Sequence, residues 1–278
     1  MQKSTIGKIL LLSATMIWGL AFVMVQYALD GGWSTFALLS ARGFLGALLF
    51  SAISFSQKWW KNKKLVLSSL GAGFILFVSY VCQTYGQYYS SVSNAAFITV
   101  LYVVLVPVFG SFIHHTKIKR RVYLSVILAV VGTFILNYQG EFRLYTGDIL
   151  LLGCATLFAV HILIMDRMQV YDSVAVTAIQ LWVMGICGFI GMLLMGEWYA
   201  SQAVLPVFFC AFMASGVAFF FQAYAQKSVD SSTTSLILTL EAVFGVLSSV
   251  LILHEAVTAN MLIGGGMLLF AVIYVQLG

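Results

Sequence analysis

The sequence predicts an all-α integral membrane protein of ten transmembrane helices, arranged as two inverted five-helix repeats with both termini in the cytoplasm. Three observations predict this fold. The 278 residues are 62% hydrophobic and only 8% charged, and a soluble domain cannot bury that much apolar surface. Lysine and arginine recur at alternate gaps between long apolar segments. Two stretches of the chain also repeat one another.

Ten apolar segments are separated by gaps too short to hold an extramembrane domain. Most of them reach the roughly 20 residues that a helix needs to cross a bilayer, and the fifth and tenth are shorter. The predicted helices are 6–27, 33–55, 65–89, 94–113, 122–138, 146–166, 173–195, 203–225, 232–253 and 259–276. The first segment has no A-x-A-like cleavage site, so we expect a retained helix rather than a cleaved signal peptide.

The positive charges give the orientation. Twelve of the fourteen lysines and arginines lie at every second gap: Lys3, Lys8, Lys58, Lys61, Lys63, Lys64, Lys117, Lys119, Arg120, Arg121, Arg167 and Lys227. Arg143 alone lies in an alternate gap, and Arg42 lies inside a segment. Positive residues resist translocation, so the basic gaps are expected in the cytoplasm of a bacterial-type inner or plasma membrane.

The net charge of +5 is explained by this topology and by contact with anionic lipid headgroups. Nucleic acid is not an expected partner, because no basic stripe lies on a polar domain. The four cysteines fall within apolar segments without paired spacing. Neither a disulfide framework nor a zinc site is therefore expected.

An internal repeat relates the two halves of the chain. Shifting residues 80–115 by 139 positions gives nine identities, where composition alone would give roughly two or three. They are Gln83/Gln222, Tyr85/Tyr224, Gln87/Gln226, Ser93/Ser232, Ile98/Ile237, Leu101/Leu240, Val104/Val243, Ile113/Ile252 and His115/His254. The predicted repeats are 6–138 (helices 1–5) and 146–276 (helices 6–10). Five helices are an odd number, so the second repeat enters the membrane inverted, as in secondary transporters whose solute path lies between the halves.

Several motifs resemble the EamA family of the drug/metabolite transporter superfamily. They are Gln83-Thr84-Tyr85-Gly86, the run Ser93–Thr99, the run Leu101–Pro107, Trp18-Gly19 with Phe22, Gly147-Asp148 with Ala159 and His161, and Leu240-Glu241 with Val243-Phe244. The chain departs from the family at Ala242, where a proline is common.

This resemblance implies a ten-helix carrier that exports or exchanges small metabolites, amino acids or toxic organic compounds. We therefore expect a secondary transporter for a small metabolite, such as an amino acid or related organic solute, working by alternating access. A multidrug or organic-cation exporter of the same fold is the alternative.

Two charged residues lie near the middle of predicted helices, where each costs about 2.5–3.5 kcal/mol. Glu241 is either a protonatable or cation-facing group in a central cavity or a structural carboxyl bonded between helices. Arg42 either pairs with Glu241 or with a solute carboxylate, or it snorkels and bonds backbone carbonyls. His161 is either a proton relay or a hydrogen-bonded packing residue. It has no second ligand one turn away, so no helical metal site is expected.

The remaining candidates are polar or aromatic residues that face either a wet cavity or a neighbouring helix. They are Trp18, Gln83, Tyr85, Asn94, Thr99, Tyr102, Gln180 and Gln222. Pro107 lacks a backbone N–H, so it marks either a gate or a static kink in the fourth helix.

Other classes of protein lack their signatures. No Walker A motif indicates ATP as a direct energy source, and no H-E-x-x-H or G-x-S-x-G motif indicates an enzyme. No filter-like segment favours a channel, and no cofactor is expected. The expected partners are a small-molecule solute, membrane lipids and, as a candidate coupling ion, protons; a monomer and a homodimer both stay open.

Overall fold

A computed structural model describes residues 2–55, 58–90, 92–115, 117–138, 145–200, 202–252 and 257–276. Within these ranges the regular secondary structure is helical. The helices are α1 (Gln2–Asp30), α2 (Thr35–Ser54), α3 (Lys63–Tyr88), α4 (Val92–Thr99), α5 (Tyr102–His114), α6 (Arg120–Asn137), α7 (Gly147–Arg167), α8 (Ser173–Met195), α9 (Val204–Phe208), α10 (Ala218–Ala225), α11 (Ser231–Leu238), α12 (Leu240–Ile252) and α13 (Ala259–Gln276). A short 3-10 turn, Trp59–Lys61, precedes α3, and a π-helical segment, Phe209–Val217, joins α9 to α10.

Eight helical stretches of the described chain are long and apolar enough to cross a membrane. Three of them contain interruptions: α4 with α5, α9 with the π-helical segment and α10, and α11 with α12. The two predicted spans outside this set correspond to α6 and α13. The all-helical fold predicted from the sequence is therefore confirmed. The count of ten spans stays a prediction, as does the sidedness.

The fourth and ninth predicted helices are interrupted at equivalent places. The first break lies at Val100 and Leu101, and the second lies at Thr239, 139 positions after Val100. At each break the backbone forms tighter bonds to the third residue back, including Leu101 N to Ile98 O at 3.2 Å and Thr239 N to Leu236 O at 3.3 Å. Pro107 lies inside α5, which continues as an α-helix to His114. The interruption is therefore not at the proline.

Side-chain caps fix where four of the helices begin. Ser34 accepts from Ala37 N at α2, Asn62 from Leu65 N at α3, Asp172 from Ala175 N at α8, and Asp230 from Thr233 N at α11. Each cap satisfies an N–H group that has no partner inside its own helix.

The ends of the helices form two faces. The starts of α1, α6 and α11 meet at a cavity that Lys8, Lys117 and Ser231 line. The starts of α3 and α8 line a second cavity, with Lys58 and Lys61. We call this lysine-rich side of the molecule the basic face. On the opposite face, Trp33 donates to the Gln202 carbonyl at 2.7 Å, and Asn260 donates to the Tyr138 carbonyl at 2.9 Å. Successive spans therefore run in opposite directions between the two faces.

Two helix pairs join the halves of the chain. α2 packs along α8, and α6 packs along α13. A Cβ at Gly43 would overlap the Gly185 backbone, so α2 and α8 approach as closely as glycine allows. A Cβ at Gly132 would lie 3.0 Å from the Gly264 carbonyl oxygen. Both pairs are therefore closely packed, and we call these four helices the frame.

The first helix of each half packs into the other half. α1 packs chiefly on α10, α11 and α12, whereas α7 packs chiefly on α3, α4 and α5. We call α3, α4, α5 and α7 the first bundle, and α1, α10, α11 and α12 the second bundle. The surface between these two bundles is where a path across the molecule would run.

Candidate functional site

A small cavity lies between the two bundles, at mid-depth. Its volume is about 50 Å³, which is room for about three to five water molecules. The predicted candidates that line it are Trp18, Arg42, Gln83, Tyr102, His161, Gln222 and Glu241. This space is small for a whole metabolite.

Arg42 is buried at 1% exposure in the wall of the cavity. Its Nε donates to Ser215 Oγ at 2.9 Å, and its guanidinium carbon lies 4.4 Å from the centre of the Tyr80 ring. Neither contact neutralises the charge, which arginine keeps at any physiological pH. A carboxylate from another molecule is the partner that would match its planar fork of donors.

The π-helical segment positions both Arg42 and Trp18. Ser215 of this segment accepts the arginine bond, and the carbonyl of Ala214 accepts from Trp18 Nε1 at 2.9 Å. A π-helical turn disturbs the usual ladder of backbone bonds, and such turns often occur at functional sites. The segment thus fixes one cation and one aromatic ring at the cavity wall.

Glu241 lies in the first turn of α12 at 5% exposure. Its Oε1 accepts a hydrogen bond from Tyr102 Oη at 3.3 Å. Tyr102 is the first residue of α5, and it precedes Glu241 by 139 positions, the spacing of the internal repeat. The hydrogen bond therefore joins equivalent positions of the two halves, at the two helix breaks.

The two charged side chains share the cavity without contacting each other. Among the described residues, Arg42 bonds Ser215 and Glu241 bonds Tyr102, and no salt bridge joins the pair. The hypothesis that Arg42 neutralises Glu241 is therefore not realised in this conformation. Within the described part of the molecule, the cavity therefore holds a permanently charged arginine and an ionisable carboxyl group, neither with a direct counter-ion.

His161 lines the cavity and also bonds a neighbouring helix. Its Nε2 shares a hydrogen bond of 2.7 Å with Gln180 Oε1, and its ring lies edge-on to Phe219 at 5.8 Å. Gln180 lies outside the cavity lining and donates to Met165 Sδ at 3.4 Å, so it connects helices rather than facing the cavity. No group of three metal-ligating side chains occurs within the described ranges.

Three other candidates, Tyr85, Thr99 and Pro107, lie outside the lining of this cavity. Tyr85 stacks on Tyr89 at 6.3 Å, and Thr99 is buried at the end of α4. Pro107 lines a second, larger cavity of about 690 Å³ at the basic face. The side chain of Asn94 lies outside the described part of the molecule.

The sequence prediction missed several residues of the lining. Tyr80, Phe158 and Phe219 form an aromatic wall, with ring centres 5.7 Å apart for Tyr80 and Phe158 and 5.9 Å apart for Tyr80 and Phe219. With 15% aromatic residues in the chain, no single ring stands out. A usable signal existed for Phe158, because it follows Trp18 by 140 positions, close to the repeat spacing.

Comparison with known proteins places the chain among transporters. A family model described as the EamA-like transporter family matches residues 5–138 and 145–277. An uncharacterized transporter of Archaeoglobus fulgidus is 32% identical over 268 residues, which are 94% of this chain and 83% of that protein. A biotin transporter of Escherichia coli K12 is 25% identical over 280 residues, covering 96% of this chain and 92% of that protein.

A solved crystal structure shares the fold. Its TM-score is 0.83 at 15% sequence identity, and the match covers 98% of this chain and 96% of the other. At that identity the likeness concerns the fold alone. With the eight apolar helices, these matches make the protein a multi-pass membrane transporter.

Proposed function

Because the chain belongs to the EamA-like transporter family, we propose that it is a secondary carrier for a small carboxylate-bearing metabolite, with amino acids as the first class to test. The observation that carries this proposal is a buried basic and a buried acidic side chain, Arg42 and Glu241, on one cavity without a salt bridge between them. Such charges are expensive in a membrane unless they serve a function.

An amino acid carries the charges that this cavity lacks. Its carboxylate would bind the guanidinium of Arg42, and its ammonium group would bind Glu241. The aromatic wall of Trp18, Tyr80 and Phe219 would accept an apolar side chain. One relative is named a biotin transporter; biotin is a monocarboxylic acid, so its carboxylate would suit Arg42 in the same way.

The proposed topology has ten spans, both termini in the cytoplasm and the basic face on the cytoplasmic side of the cell membrane. The twelve-to-one distribution of loop positive charges supports the orientation. The two separate family matches and the equivalent breaks at Val100–Leu101 and Thr239 support two inverted repeats, 6–138 and 146–276.

Transport would follow alternating access, with export or exchange as the physiological mode. The two bundles rock about the frame of α2, α8, α6 and α13, so that the cavity opens first to one side and then to the other. The energy comes from solute or proton gradients, since the sequence holds no Walker A motif.

Export of organic cations is the second candidate. It is favoured by one observation: Glu241 shares its cavity with aromatic rings, and rings attract cations through their faces. Arg42 argues against cation export, because its guanidinium would repel a second cation in the same cavity.

A ligand screen separates these two classes. The purified protein is heated with each of the standard amino acids, with biotin and with tetraphenylphosphonium, and the compounds that raise Tm are tested for saturable uptake into proteoliposomes. We expect carboxylates to stabilise the protein and to compete with one another. Stabilisation and transport of the organic cation alone would overturn the proposal.

A further inference from the structure

We infer that Gln87 and Gln226 are a pair of gate residues, one at each end of the central cavity, whose hydrogen bonds break in turn during transport. The inference rests on the proposed carrier function and adds the residues that close the path. The groups that Gln87 and Gln226 bond directly are uncharged. A carboxylate enters only at one remove, where Gln26 donates to Asp30 at 2.9 Å.

The first gate joins α3 to α1. Gln87 is buried at 3% exposure near the end of α3, and its Nε2 donates to the main-chain oxygen of Phe22 at 3.3 Å. The same Nε2 also donates to Gln26 Oε1 at 3.1 Å. α3 belongs to the first bundle and α1 to the second. These hydrogen bonds therefore cross the surface between the bundles.

The second gate joins α10 to α7 in the same manner. Gln226 is buried at 2% exposure directly after α10, and its Nε2 donates to the main-chain oxygen of Ile162 at 2.8 Å. Its own Oε1 accepts from Gln222 Nε2 at 3.0 Å. α10 belongs to the second bundle and α7 to the first, so this bond also crosses the surface between them.

The repeat makes the two gates equivalent. Gln226 follows Gln87 by 139 positions, and Ile162 follows Phe22 by 140. Both carbonyl-bearing residues line the central cavity. α3 runs from the basic face to the opposite face, whereas α10 runs the other way. Gln87 therefore lies between the cavity and the opposite face, and Gln226 lies between the cavity and the basic face.

The second gate stands at the boundary between two cavities. Ile162 lines the central cavity, whereas its neighbour Leu163 lines the larger cavity at the basic face. Val229, three residues after Gln226, also lines the larger cavity. Breaking the bond between Gln226 and Ile162 is thus the step that would connect the central site to this vestibule.

A neutral amide suits such a gate. When the bundles separate, water enters the path and replaces the lost bond at small cost. When they close, the amide again satisfies a carbonyl oxygen that already accepts a helical bond and still has a free lone pair. With both bonds formed, as here, the two bundles are joined on both sides of the central cavity. Opening one while the other stays closed is alternating access.

The test measures access to the cavity rather than transport. Ala21 lines the central cavity, and Ala21→Cys, in a protein whose four native cysteines are replaced by alanine, provides one reactive thiol. A charged, membrane-impermeant maleimide is applied to right-side-out and to inside-out vesicles. The labelling rate from each side reports how often each gate is open.

The two gate variants should have opposite effects. Gln87→Leu, which loses the bonds to Phe22 and Gln26, should raise the labelling rate from the face opposite the basic one by roughly threefold or more. Gln226→Leu, which loses one bond between the bundles, should raise the rate from the basic face by roughly three- to tenfold. Gln87→Asn and Gln226→Asn, which keep an amide but shorten its reach, should show the same directions if the leucine variants fold poorly. Trp182→Phe is the control. It removes a hydrogen bond from Trp182 on α8 to Ser51 on α2, and both helices belong to the frame rather than to either bundle.

The outcomes separate this inference from the proposed function. Equal labelling of the paired variants and the control, or shifts in the same direction for both gates, would overturn the gate assignment even if amino acids are transported. Opposite shifts would support it even if the transported solute belongs to another chemical class.

Discussion

Replacing Arg42 by glutamine tests whether the buried cation binds the solute or holds the fold. In the structure its guanidinium makes one charge-assisted bond to Ser215 and lies over the Tyr80 ring. A hydrogen bond to a charged group contributes about 1.5–3 kcal/mol to stability, and a desolvated cation–π contact contributes about 2 kcal/mol. Together the two contacts contribute about 3.5–5 kcal/mol. Removing the charge from the membrane interior returns about 2.5–3.5 kcal/mol. The free energy of unfolding should therefore fall by only about 0–2.5 kcal/mol.

The effect of the same change on binding should be much larger. Losing one partner of a buried charge pair costs about 2–5 kcal/mol, so the Kd for a carboxylate solute should rise by at least about 30-fold. The assay is solute binding to purified Arg42→Gln, with Tm measured on the same samples. Arg167→Gln, at the exposed end of α7, is the matched control and should retain full affinity. A variant that unfolds readily but binds within twofold of the native protein would refute the reasoning.

Three further changes have defined outcomes. Glu241→Gln keeps an oxygen that can accept from Tyr102 but removes the ionisable group. It should therefore weaken the binding of an amino acid about tenfold more than that of the same acid without its amine, and it should abolish any dependence of flux on a pH gradient. Unchanged gradient-driven flux in proteoliposomes would exclude Glu241 as the coupling residue. Gly43→Ala forces a methyl group into the Gly185 backbone and should cost about 1–3 kcal/mol, seen as a lower Tm, whereas Gly71→Ala, which meets open space, should not. A fluorescent reporter fused after Gly278 should be active only in the cytoplasm, and activity on the other side of the membrane would reverse the topology.

The helices were predictable because hydropathy and length follow directly from the bilayer. The predicted spans 173–195 and 259–276 agree with α8 and α13 to the residue. The breaks at Val100–Leu101 and Thr239 were not predicted. Apart from one threonine these positions hold ordinary apolar residues, and the obvious helix breaker, Pro107, lies in the continuous part of α5.

The charged centre of the site was also predictable, since Arg42 and Glu241 are rare residues for mid-membrane positions. Their arrangement was not. The partners Ser215 and Tyr80 lie 173 and 38 positions from Arg42 in the sequence. Hydropathy also does not indicate that α1 and α7 each pack in the bundle of the other half. The repeat spacing could have found more, because Tyr102 and Glu241 are equivalent positions that meet.

Counterflow tests the central claim most directly. Proteoliposomes are loaded with an excess of an unlabelled amino acid that raises Tm, then diluted into a trace of the same labelled compound. A carrier whose single site faces one side at a time accumulates the label transiently above equilibrium, and Arg42→Gln should remove this overshoot while Arg167→Gln keeps it. A monotonic approach to equilibrium in the native protein, or an undiminished overshoot in Arg42→Gln, would contradict the account of one alternating site between the bundles.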